Sequence, residues 1–166
     1  MRAVARAALI AAVLILRASM ADAAEVRVLG VSAVAPAVEA LAPEFRKDTG
    51  HGITLTLGSP AEVMAKIKAG ETFDALIASE GAMDELDRDG IVNPKSRVRL
   101  ASGTETGTDA PPAGQPSPPV SKIVYEGALM SDGAAPEAAR AFILFLGSPD
   151  ARPAWIAAKL DPAPDR

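Results

Sequence analysis

Three serines, Ser32, Ser59 and Ser79, each stand between a strand-like stretch and a helix-like one. A serine at a helix start sets a hydroxyl beside free backbone N–H groups, a combination that suits an oxyanion. Capping alone also explains the residue type, because serine in that place stabilises a helix by about 1 kcal/mol. Acid–base or nucleophilic chemistry is harder to assemble. Gly30, Val31, Ser32, Ala33 and Val34 imitate a nucleophile elbow but lack its closing glycine. His51 is the only histidine, and a helix of about sixteen residues, rising about 24 Å, separates it from Ser32. It therefore falls on the opposite sheet edge, where it reads as an exposed turn residue, and Asp74 falls on that edge too. Glu62 and Glu80 lie near the serines, but carboxylates there are more often helix caps and favourable partners of the helix dipole than an acid/base pair. Tyr125 fits either a partly buried sheet position or one reaching into a cleft. A glycine-rich phosphate loop and a dinucleotide fingerprint are both missing. With no cysteine there is no thiolate or disulfide, and one histidine argues against structural zinc. Neither catalysis nor a cofactor is expected.

The elements that must position these residues follow from periodicity. Residues 25–30 (EVRVLG) read as a strand. Over 33–49, Val34, Val38, Leu41, Ala42 and Phe45 recur at spacings of three and four, and Gly50 follows as a stop. A second strand covers 53–57 (ITLTL), after which Ser59, Pro60 and Glu62 open a helix with a capping box and proline at its first position. A third strand is expected at 74–78 and a third helix at 80–88, with a short fourth strand at 97–101. Strands alternating with helices imply βαβ units and a mainly parallel sheet of about five strands. The expected fold class is a single α/β lobe of three layers, with helices on both faces.

Residues 102–121 break the pattern, with five of the chain's fourteen prolines and almost no large apolar residue. They read as an exposed linker between a first part of the lobe, 24–101, and a closing part, 122–166. In the closing part, strand character returns at 122–130, and helices are expected at 136–146 and 151–160.

Residues 1–23 read as an export signal. Arg2 and Arg6 precede the apolar run 7–16, and Ala21, Asp22 and Ala23 offer a small-x-small cleavage site. That run is too short to span a bilayer. Cleavage after Ala23 leaves 14 basic and 20 acidic residues, a net charge of −6. Such a balance excludes the basic footprint of a nucleic-acid binder.

The order of these pieces resembles the periplasmic molybdate-binding proteins, the solute-binding components of ABC transporters. The matching stretches are EVRVLGVSAVAPAVEALAPEFRKDTG, ITLTLGSPAEVMAKIKAG, ETFDALIASEGAMDELDRDGIV and PEAARAFILFLGSPDARPAWIAAK. The resemblance implies a periplasmic protein that takes a small oxyanion and delivers it to a membrane permease. It also implies a second lobe between Leu100 and Ile123, where this chain holds only the proline-rich stretch, so the chain looks like one lobe of two. The family's first ligand serine falls on Ala33, with Ser32 one residue early. Its second falls on Pro60, just after Ser59, and proline removes a hydroxyl and an N–H donor together. The anion-binding residues implied are Ser32, Ala33, Ser59, Ser79 and Tyr125. From another class, the rival reading is a ligand-free interaction module, or a degenerate remnant of such a protein.

Overall fold

The structure is a computed structural model, and it describes residues 23–105 and 121–164. The expected export signal, apart from Ala23, lies outside the described residues, as do residues 106–120 of the expected linker. No helix of the described residues is long and apolar enough to cross a membrane.

The first half follows the period-2 and period-3.6 patterns. Strand β1 (Glu25–Val31) leads through a 3-10 turn (Ser32–Val34) into helix α1 (Ala35–Thr49). Helix α1 buries Ala37, Val38, Leu41 and Phe45 and ends at Gly50, whose φ of 79° a side chain would resist. Then come β2 (Gly52–Gly58), α2 (Pro60–Lys68), β3 (Ala75–Ser79), α3 (Glu80–Arg88) and β4 (Val98–Glu105). The closing part supplies β5 (Ser121–Leu129), α4 (Pro136–Leu146), α5 (Arg152–Ala157) and the two-residue β6 (Asp161–Pro162).

These strands form one six-stranded sheet in the order β2-β1-β3-β5-β4-β6. Helices α1, α4 and α5 pack together over one face, and α2 and α3 cover the other, which makes the three layers expected. The sheet is mixed where a mainly parallel one is expected. Strands β2, β1 and β3 pair in parallel, whereas β5 runs antiparallel to both β3 and β4. Strand β4 thus keeps the direction of the first three, as the βαβ pattern requires, and β5 lies between it and β3. Antiparallel pairing of β4 and β5 fits two strands consecutive along the chain.

The expected linker is also shorter at both ends. Strand β4 runs on to Glu105, with Ser102, Gly103 and Thr104 paired to Val124, Ile123 and Lys122. These polar residues are held by the ladder rather than by their own side chains, so local composition hides the strand. The last helix ends at Ala157 instead of residue 160, because Lys159 takes a left-handed φ of 61° and turns Leu160 into the core.

The core centres on aromatic rings. Phe45 meets Phe142 edge-on at 5.1 Å and Phe145 at 5.6 Å. Trp155 is buried, and its Nε1 donates to the Leu146 carbonyl at 2.9 Å, so the indole is both packed and satisfied. Two acidic residues are also buried. Asp74, 3% exposed, accepts from the backbone N–H groups of Arg27 and Ala135. Glu126, 8% exposed, accepts from Nε and Nη2 of Arg97, which also reaches Asp84 and Asp87 of α3. The hydrogen bond to Glu126, followed by that to Asp84, holds the Arg97 guanidinium above its ordinary pKa.

Candidate functional site

The carboxyl ends of β1, β2 and β3 reach one sheet edge, and the amino-terminal half of β5 arrives there from the opposite direction. Open α/β sheets bind their ligands at this kind of edge. Ser32 follows β1 and opens the 3-10 turn, Ser59 caps α2, and Ser79 ends β3 and precedes α3. Tyr125 is paired directly with Ser79 across the β3–β5 ladder. An open cleft of about 350 Å³ is lined by Ser32, Ala33, Ser59, Ser79 and Tyr125 together. The five residues named from sequence therefore meet in one place. Pro60, the position on which the family's second ligand serine falls, also lines it, and sequence reasoning missed Val31, Gly58 and Ile123, which complete the lining. Val31 and Gly58 were legible as neighbours of a ligand turn, but nothing local marks Ile123, which arrives only through strand pairing.

The three serines do different work. Ser59 is engaged in a complete capping box: its backbone N–H and its hydroxyl donate to Glu62 Oε2 at 2.7 and 2.8 Å, and Glu62 N–H returns to Ser59 Oγ at 3.3 Å. Gly58 makes room for this arrangement, since a Cβ there would lie 3.1 Å from Glu62 Cβ and 3.2 Å from its Oε2. Ser79 occupies the cap position of α3 with no side-chain capping bond. Ser32 stands inside its turn, with Val31 at the cap position. Capping thus accounts for Ser59 and not for the hydroxyls of Ser32 and Ser79.

The Ser59 backbone N–H, then its hydroxyl, together with the Lys66 charge, lower the Glu62 carboxyl pKa from its ordinary value. A folded-state pKa below the unfolded one stabilises the fold above the unfolded value, and that gain is lost as pH falls through the folded one. Melting temperatures of wild type and Glu62→Gln should therefore differ most at neutral pH and converge in acid. Parallel melting curves with a constant offset down to pH 3 would contradict this.

The remaining candidates fall elsewhere. Glu80 accepts from Arg99 Nη2 at 3.1 Å on an exposed surface. His51 is half-buried rather than an exposed turn residue: its Nδ1 accepts from Ala24 N–H at 3.1 Å and its ring stacks on Phe45. It precedes β2, whereas Ser32 follows the parallel strand β1, so the two sit at opposite edges and form no nucleophile–base pair. Asp74 precedes β3 and shares the edge of His51. Among the described residues, no three His, Cys, Asp or Glu side chains cluster to hold a metal. A larger hollow of about 540 Å³ lies beside β4, but Arg97 and Glu126 in its wall are bonded to each other. At the serine cleft, three strand-to-helix turns converge, and the hydroxyls of Ser32 and Ser79 are not used in capping.

The fold and this edge define a class, the α/β lobe of periplasmic-binding-protein type. Residues 26–105 match the family model of bacterial extracellular solute-binding proteins. Among solved structures, the periplasmic molybdate-binding protein of Azotobacter vinelandii superimposes with a TM-score of 0.70 at 18% identity, covering 84% of this chain and 100% of that one. The sulfate-binding protein of Mycobacterium tuberculosis gives 0.66 at 14% identity, covering 84% and 87%. The tungstate-binding protein of Desulfovibrio alaskensis gives 0.59 at 11%, covering 86% and 100%. At such identities the likeness establishes the fold.

Proposed function

We propose that this chain is the exported solute-binding component of an ABC transporter, and that its cleft takes a small tetrahedral oxyanion of the molybdate or sulfate kind. The observation that carries this reading is the meeting of Ser32, Ser59 and Ser79, from three separate strand-to-helix turns, in one cleft. The family match and the three anion-binding structural relatives support it. A membrane permease is the partner this reading implies, and the periplasm its location.

Only residues 106–120 separate β4 from β5, so we also read the chain as a single lobe with one half of a site. A closed two-lobe site excludes water and strengthens each hydrogen bond within it. One open lobe offers hydroxyls and N–H groups on one side only, and its acidic charge disfavours a dianion. The expected affinity of the monomer is about millimolar, near −4 kcal/mol.

Calorimetric titration of the mature chain with molybdate, tungstate, sulfate and phosphate tests this directly. Weak binding of at least one oxyanion, reduced about tenfold or more by Ser32→Ala with Ser79→Ala, is the expected result. Sub-micromolar binding by the monomer would contradict the half-site. A specific observation favours the second reading, a ligand-free interaction module: the donors of Ser59 are already satisfied by Glu62. No binding of any of the four anions at tens of millimolar would decide for that module.

A further inference from the structure

The second turn of the cleft already holds an anion, and it belongs to the chain itself. Glu62 Oε2 takes both the N–H and the hydroxyl of Ser59, the donors of the residue that caps this turn. The next residue, Pro60, has no N–H to replace them. The hydroxyls of Ser32 and Ser79 are not spent in this way. Among the described residues no Lys or Arg lines the cleft, and the cation acting on the carboxylate, Lys66, lies one turn further along α2.

We propose that Glu62 is the specificity-determining residue of the cleft: its carboxylate is a built-in competitor that a free oxyanion must displace from Ser59. This rests on the reading of the cleft as an oxyanion site. Competition acts in two ways. A bound dianion must remove Glu62 from its donors, and then it must tolerate the carboxylate nearby. Both costs are greatest for a fully ionised tetrahedral dianion. They are least for a singly charged or neutral ligand with its own O–H, which can donate to the free oxygen of Glu62. The cleft therefore holds molybdate and sulfate only weakly until Glu62 is neutralised or withdrawn, in line with the millimolar affinity expected of the single lobe.

Glu62→Gln keeps an amide oxygen for the Ser59 N–H and removes the charge, while Glu62→Ala clears the donors altogether. Calorimetry of both variants with molybdate and sulfate should show affinity raised tenfold or more over wild type. Glu44→Gln, on the exposed surface of α1, changes the net charge equally and should leave affinity within twofold of wild type. Thermal melts verify that each variant is folded, and Glu62→Gln alone is sufficient if the alanine variant is not. Equal or weaker anion binding by folded Glu62→Gln, with wild type still binding, overturns the competitor and leaves the oxyanion site standing. An equal gain in Glu44→Gln overturns it too, since net charge would then be the cause. Absence of anion binding in wild type and in every variant overturns both.

Discussion

Replacing Asp74 by alanine should destabilise the lobe by about 2–4 kcal/mol in urea unfolding at neutral pH, with the denaturant slope unchanged. The side chain joins segments far apart in sequence. Its Oδ2 accepts from Arg27 N–H in β1 at 2.8 Å, and its Oδ1 from Ala135 N–H ahead of α4 at 2.9 Å. Its backbone is engaged as well, donating to the Arg27 carbonyl and accepting from Met130 N–H. Hydrogen bonds to an ionised acceptor are roughly twice as strong as neutral ones. Alanine would leave two backbone donors without acceptors, and each such loss costs about 1–3 kcal/mol. Asparagine should cost less, because it keeps one acceptor oxygen, but its amide N–H₂ then faces a donor. A loss below about 0.5 kcal/mol for Asp74→Ala would mean that water replaces both contacts.

Arg97→Leu should cost a similar amount, about 2–4 kcal/mol, and a second substitution should recover most of it. Arg97 Nε and Nη2 lie 2.9 and 2.7 Å from Glu126 Oε2, and Nη2 lies 2.7 Å from Asp84. Removing the cation strands the buried Glu126 carboxylate, and an uncompensated buried charge is more costly than the pair is worth. Asp84 is half exposed and can turn to solvent. In Arg97→Leu with Glu126→Leu the stranded charge is gone, so the double variant should lie within about 1 kcal/mol of wild type. If it is instead as unstable as the single variant, packing of the arginine stem governs, not the charge.

Residues with local signals were readable in the sequence. Ser59, Pro60 and Glu62 announce a helix start by type and spacing, and the capping box forms as written. Alternation of strand and helix from residue 25 to residue 88 was enough to place Ser32, Ser59 and Ser79 on one edge, since consecutive βα turns of parallel strands share an edge. What escaped was decided by partners distant in the chain. Nothing in Ser102, Gly103 and Thr104 favours a strand until β5 pairs with them. The identity of the strand beside β3 depends on which later segment enters that slot. His51 looked like a turn residue because its ring partner, Phe45, and its donor, Ala24, are brought to it by tertiary packing. The commitment of Ser59 and the freedom of Ser32 likewise depend on backbone geometry at the turn, which residue type alone does not determine.

The position of β5 between β3 and β4 has a consequence in the order of synthesis. When Glu105 leaves the ribosome, β4 is complete, but its neighbour in the sheet is still unmade. Val98 and Leu100 have no strand to lie beside until Ser121–Leu129 has followed. The rings of Phe142 and Trp155, which roof the face beneath α1, come later still. At about 5–20 residues per second, the nascent chain spends seconds as an incomplete sheet with an open slot at its centre. An N-terminal fragment without β5 leaves that slot open, so folding of the lobe waits for its closing segments. Such a chain stays threadable while it is being made, which suits the export proposed for it.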